Sequence, residues 1–276
     1  MQSLLPVHAT TNGHQTSRSP KALQELRAIS VKNRVLACLG RHELRQLMKS
    51  TERVSLKPRQ IIQERNLPLR HAYFIESGIA SLQMWRGQGR TIEARTLGSN
   101  DLVGLSILLG TWRSPRRCVV QVGGDALRIS AGDLATFLEQ CQTARSVFLA
   151  YVHAAIGHSS QLLSCNTCHP VKDRVVRWLL TVSDQLQSTD IPVTHSSIAR
   201  SLGVRRASVT NVVGDLEGEN LIRQERGLIS LLNSEELERG CCGCYRAIRD
   251  GYERLPRIFR AGAVTHSAYA DSSIAA

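Results

Sequence analysis

The 276-residue chain contains no apolar run long enough to cross a bilayer. Its longest nearly apolar stretch, Leu102 to Gly110, is about half the length of a membrane span. The first twenty residues lack the continuous apolar core of a signal peptide; their Thr, Ser, Asn, Gly and Pro read as a disordered tail over 1–20. Eight cysteines are present, but not at the spacing of a secreted disulfide framework. No internal repeat suggests a solenoid. No Ser/His/Asp set, paired carboxylates or phosphate loop stands out, so enzymatic activity is not expected. A soluble, cytoplasmic protein with no membrane partner is the expectation.

Charge is what the chain has in excess. The formal net charge is +12, which suits a polyanionic partner. Its distribution does not locate the contact, because residues 1–70 carry thirteen Lys/Arg against four Asp/Glu while residues 166–234 carry eight against seven. The basic N-terminal third reads as an ordinary solvated surface. The length leaves room for two modest domains, each with its own core.

The run from Thr194 to Leu231 carries the sharpest pattern. Ile198, Ala199 and Leu202 give a short helix one apolar face, and Gly203 falls where that helix must stop and reverse. A second helix is predicted from near Arg205, burying Val209, Val212, Val213 and Leu216 at i, i+3, i+4, i+7 spacing. Leu221-Ile222-Arg223 and Leu228 to Leu231 then flank Glu225-Arg226-Gly227 as strand, turn and strand. Helix, Gly turn, helix and hairpin describe a winged helix-turn-helix, whose second helix enters the major groove of double-stranded DNA. Its outer face is small: Ala207, Thr210, Asn211, Gly214 and Gly218. Small residues let the helix axis approach base edges, where Asn pairs with adenine, Arg with guanine, and Ala or Thr methyls meet thymine. The candidate DNA contacts are Ser196, Arg200, Arg205, Arg206, Ala207, Ser208, Thr210, Asn211, Arg223 and Arg226.

Upstream, residues 21–40 read as a helix, and short β-type runs separated by Gly and Pro fill 51 to about 129. They include Ile61-Ile62, Ala72 to Ile75, Ile79 to Leu82, Val119 to Val122 and Ala126 to Ile129. This spacing suggests a jelly roll or small barrel. Leu134 to Leu163 is almost free of helix breakers. Phe148, Val152, Ile156 and Leu162 form the expected dimer seam along it, although the same stripe could pack on the barrel instead. A two-fold symmetric protein would match a palindromic operator.

These segments together resemble the Crp/Fnr family of bacterial transcription regulators, over about Asn33 to Leu232. HAYFIESGIASL is similar to the family's strand–Gly–strand signature. SNDLVGLSILLG and RRCVVQV resemble its effector-pocket segment, and SSIARSLGVRRASVTNVVGDLEGENLI its recognition motif. The resemblance implies an α+β protein with an N-terminal cyclic-nucleotide-binding-type β-barrel, a long dimerisation helix and a C-terminal winged helix-turn-helix. The expected divisions are a sensor domain with its N-terminal helix at 21–133, the dimerisation helix at 134–165, the DNA-binding domain at 166–234, and a Cys-containing helix and tail at 235–276. The implied effector pocket holds Gly104, Arg116 and Arg117, and RNA polymerase becomes a candidate partner. Leu105 stands where nucleotide-binding members place Glu, and Cys118 where they place a Ser. A cyclic nucleotide therefore is not expected to bind. Ala207 and Asn211 also replace base-reading Glu and Arg, while Arg206 matches the family's shared Arg.

The cysteines remain outside that scheme. Cys165-x-x-Cys168-His169 lies at the junction of the long helix and the DNA-binding module, and Cys241-Cys242-Gly-Cys244 follows the wing. Reduced structural thiols are the plain reading, and no cofactor is expected. A metal or iron–sulfur site on Cys165, Cys168, Cys241, Cys242 and Cys244 is the alternative. For the whole protein, the alternative to a DNA-binding regulator is an effector-binding module whose winged helix makes protein contacts.

Overall fold

Alternating burial along short strands shapes the first half of the chain in a computed structural model that describes residues 31–87 and 90–260. Eight strands form two antiparallel four-stranded sheets, and two-residue periodicity sends each strand's side chains to opposite faces. One sheet has the order β1 (Thr51–Leu56), β8 (Gly124–Ser130), β3 (His71–Ile75), β6 (Leu102–Val103). The other runs β2 (Ile61–Gln63), β7 (Arg116–Val122), β4 (Ile79–Gly87), β5 (Arg90–Leu97). On β3, Ile75 joins Leu82, Leu97, Val120 and Ala126 in one core, while Phe74 joins Leu127, Ile129 and the helices in another. The jelly roll expected from strand spacing is what forms.

Helices cover the barrel. The one-turn α2 (Leu105–Leu108) follows β6, and α3 (Ala131–Gln140) follows β8 with Ser130 as its N-cap, whose hydroxyl accepts from Asp133 N–H. The unbroken helix expected over Leu134 to Leu163 is in fact two: Cys141 is extended (φ −128°, ψ 90°), and α4 then runs Gln142–Cys168. No Gly or Pro marks that break, so it is set by packing, not by a local signal. The helix expected at 21–40 lies partly outside the described residues. Within them, Leu36–Cys38 is a single 3₁₀ turn, and α1 (Arg41–Met48) follows it. Asn33 governs this turn, because its Oδ1 accepts from Val35 and Leu36 N–H while its Nδ2 donates to Ile75 and Asp101 carbonyls.

The second half has its own core. Here α5 (Val171–Leu186), α6 (His195–Leu202), α7 (Arg206–Gly218) and α8 (Ser234–Gly240) pack on a small sheet of order β10 (Ile222–Glu225), β11 (Leu228–Leu231), β9 (Asp190–Ile191). The C-terminal helix α9 (Cys244–Arg260) returns to the first core through Ile248, Tyr252 and Leu255.

One buried polar cluster joins these parts. The Arg95 guanidinium pairs with the Asp101 carboxylate, both almost fully buried, and also donates to Tyr252 Oη at 2.6 Å. Asp101 further accepts from Tyr151 and Tyr252 hydroxyls at 3.2 Å and from Gln185 Nε2 at 3.0 Å. His158 Nδ1 lies 3.1 Å from Tyr252 Oη. Burial, and then the cations of Arg95 and Arg177, hold His158 well below its ordinary pKa, so its ring is neutral. Asp101→Ala should destabilise the fold by about 3–5 kcal/mol, because it strands a buried guanidinium. Urea denaturation followed by circular dichroism measures this; an unchanged midpoint would show that water replaces the carboxylate.

Candidate nucleic-acid interface

Local sequence builds the interface helix by helix. Thr194 caps α6 in a capping box: its hydroxyl accepts from Ser197 N–H, and Ser197 Oγ accepts from Thr194 N–H. Gly203 ends α6 in the left-handed region at φ +66°, and a Cβ there would also meet Ile92 Cδ1 at 3.0 Å. Arg205 is the extended N-cap of α7: its carbonyl accepts from Ser208 and Val209 N–H, and no side-chain cap bond closes the first turn.

The two faces of α7 divide as its periodicity predicts. Val209, Val212, Val213 and Leu216 are buried. Arg205, Arg206, Ala207, Thr210, Asn211, Gly214 and Gly218 are exposed, and Ser208 is half-buried. Ser196 and Arg200 on α6, with Arg223 and Arg226 on the hairpin, are exposed as well. Thr210 is locally engaged: its hydroxyl donates to Arg206 O and lies 3.1 Å from His195 Nδ1.

Acidic residues at the far end of α7 have structural partners that the sequence does not announce. Glu219 pairs with Lys172 at 2.6 Å. Glu217 accepts from Gln224 N–H at 2.9 Å and from Gln224 Nε2 at 2.7 Å, which holds the wing against the recognition helix and lowers the carboxyl pKa. Glu93 on β5 is likewise absent from the sequence-based candidates. It accepts from Ser201 Oγ at 3.0 Å, Trp178 Nε1 at 3.4 Å and Gln121 Nε2 at 3.0 Å, so one barrel carboxylate clasps α5 and α6. Ser81 and Thr96 hydroxyls within the barrel also donate to Glu93 at 2.5 Å, but the partners on the helices, Trp178 and Ser201, are 85 and 108 positions away, beyond the reach of any local pattern.

The expected effector residues separate. Gly104 (φ +100°) and Arg116 line a cavity of about 20 Å³ with Arg95, Leu105 and Ser114, room for about one water. Arg117 does not enter it. Neighbours along a strand face opposite ways, and Arg117 Nε instead donates to Glu64 at 3.1 Å beside Trp85. Burial pushes the Cys118 thiol well up, so it is a neutral core group.

The expected seam residues also separate. Phe148 packs on Phe74, ring centroids 5.9 Å apart, and Val152 is buried within the protomer. Leu162 is half-buried against the same core. Of the four, Ile156 alone is well exposed, and it sits in a row with Leu149 and Leu163, which are 45%, 59% and 71% exposed in chain order 149, 156, 163. With Phe148 and Val152 buried and Leu162 half-buried, most of the stripe expected to form a dimer seam is turned into the protomer.

Of the thiol candidates, Cys165, Cys242 and Cys244 converge, and His169 joins them. Cys168 is exposed and Cys241 turns toward Asp173 O, so neither belongs to the group.

The family model for the cyclic nucleotide-binding domain matches residues 53–141, and that for the Crp-like helix-turn-helix domain matches 173–239. The fold is similar to that of FixK2 from Bradyrhizobium japonicum (14% identity, TM-score 0.62, 70% of this chain and 98% of that one). It is also similar to CLP, the c-di-GMP responsive global regulator of Xanthomonas campestris (17%, 0.56, 70% and 99%). A third is a transcriptional regulator of the CRP family from Thermus thermophilus, TTHB099 (20%, 0.56, 67% and 95%). No curated protein sequence matches.

Proposed function

The chain belongs to the Crp/Fnr family of DNA-binding transcription regulators, and on that premise we propose that it acts as a homodimer on a two-fold symmetric operator. The observation that carries the reading is the outer face of α7: a basic start at Arg205 and Arg206, then Ala207, Thr210, Asn211 and Gly214, all exposed. Arg206 reads guanine or binds phosphate, and Asn211 reads a base. Ser196, Arg200, Ser208, Arg223 and Arg226 hold the flanking backbone. RNA polymerase is the further partner, the cytoplasm the location, and the protein is no enzyme. Among the described residues no helix is long and apolar enough to cross a membrane.

Arg206→Ala should weaken specific binding by about 1–3 kcal/mol, whereas Asn211→Ala should relax preference at one base pair more than it lowers non-specific affinity. Mobility-shift titration at fixed salt tests both. Unchanged operator affinity in the first variant, or uniform weakening across sequences in the second, rejects the assignment.

The dimer surface proposed is the row Leu149, Ile156 and Leu163 on α4, spaced by seven residues as a two-helix seam requires. Ser159 and Ser160 on the same exposed side allow close approach. Val152 is already buried in the protomer, so a charge there would test folding; Ile156 tests assembly. Ile156→Asp should give a folded monomer by light scattering, since a seam charge costs several kcal/mol to desolvate. A variant that stays dimeric moves the interface elsewhere.

Cyclic AMP is not the effector in this reading. The cavity at Gly104 and Arg116 is far below the roughly 300 Å³ of small-ligand pockets, Leu105 offers no ribose acceptor, and Arg95 is committed to Asp101. Calorimetry with cyclic AMP should show no tight binding. Micromolar affinity with a tenfold change in operator binding, about 1.4 kcal/mol of coupling, would overturn this.

A further inference from the structure

Cys165 and His169 are four residues apart, one helical turn, at the C-terminal end of α4, where His169 is the C-cap residue. Cys242 sits in the turn before α9, and Cys244 is the first residue of that helix. Folding thus brings a Cys-x₃-His pair and a Cys-x-Cys pair, some 75 residues apart in sequence, to one point. Their four ligand atoms all lie within 4.8 Å of one another. Cys165 Sγ is 3.9 Å from Cys242 Sγ, and Cys244 Sγ is 3.5 Å from His169 Nδ1.

Those separations have a specific meaning. Zn–S bonds of about 2.3 Å and Zn–N bonds of about 2.0–2.1 Å place tetrahedral ligands about 3.8 Å apart for S···S and about 3.6 Å for S···N. A cluster of several irons holds its thiolates farther apart than one ion does. Three soft sulfurs, one imidazole and no carboxylate select zinc over hard cations.

The surroundings point the same way. Arg177 on α5 is 3% exposed, and its Nε donates to Cys165 Sγ at 3.2 Å. Among the described residues no carboxylate lies within ion-pair distance of it, so its buried charge lacks a partner. A zinc ion with three thiolates and a neutral histidine carries one net negative charge, which supplies that partner. Gln161 Nε2 donates to Cys244 Sγ at 3.1 Å, the outer-shell contact that orients a ligand sulfur.

We propose that Cys165, His169, Cys242 and Cys244 form a mononuclear Zn²⁺ site that pins the start of α9 to the joint between α4 and α5. That joint, His169-Pro170, is where the helix bearing the barrel passes into the DNA-binding module. Binding releases the thiol protons to solvent and involves no redox change.

The full chain, purified under reducing conditions and treated with Zn²⁺, is measured by native mass spectrometry; Co²⁺ is titrated in parallel as a spectroscopic probe. One ion per chain, with intense tetrahedral Co²⁺ bands and sulfur-to-cobalt charge transfer, is the expected result. Cys168→Ser should retain the ion, whereas the double variant Cys242→Ser, Cys244→Ser should lose it. The proposal is overturned if the unsubstituted chain takes up no ion or gives the weak bands of six-coordinate Co²⁺. Acid-labile sulfide, loss of the ion in Cys168→Ser, or its retention in the double variant would overturn it too.

Discussion

The ion pair between Arg95 and Asp101 is the constraint on which the arrangement of the parts depends. Neither side chain has meaningful contact with water, so each must be paired within the protein or carry a large desolvation cost. Their partners come from everywhere: Tyr151 from α4, Gln185 from α5, Tyr252 from α9. A single buried carboxylate thereby fixes the long helix α4, the first helix of the DNA-binding module and the C-terminal helix against the barrel. The DNA-binding module cannot swing away from the barrel while Gln185 still donates to Asp101.

A second contact works at the other end of the module. Glu93 accepts from Ser201 and Trp178, and Ile92 lies under the Gly203 turn. The helix-turn-helix is therefore held at both its base and its turn. Any movement of the recognition helix relative to the barrel has to exchange these hydrogen bonds for others. Arg95 links the buried cluster to the effector-pocket region, because it also borders the cavity at Gly104.

The long helix shows why periodicity has limits. Its apolar residues occupy more than one stripe, and a stripe at heptad spacing reads the same whether it meets a second copy or the protein's own barrel. Phe148 meets the barrel and Val152 is buried within the protomer; Leu149, Ile156 and Leu163 are exposed. Rotation of the helix about its axis separates the two, and tertiary contact fixes that rotation.

The winged helix-turn-helix is written in the chain almost residue by residue. Its signals are local: a cap at Thr194, a left-handed Gly203, an apolar stripe at 209, 212, 213 and 216, and a turn at Gly227. The barrel strands legible in the chain are local in the same sense, since alternation needs only a few neighbours. Packing, by contrast, selects which side of β7 faces the cavity, and so admits Arg116 and excludes Arg117. It likewise breaks the helix at Cys141, turns Glu93 into a clasp, and puts His169 rather than Cys168 in the sulfur cluster. These outcomes share one physical reason: each depends on groups tens of residues apart meeting within hydrogen-bond or ligand distance. Only the packed chain supplies such meetings.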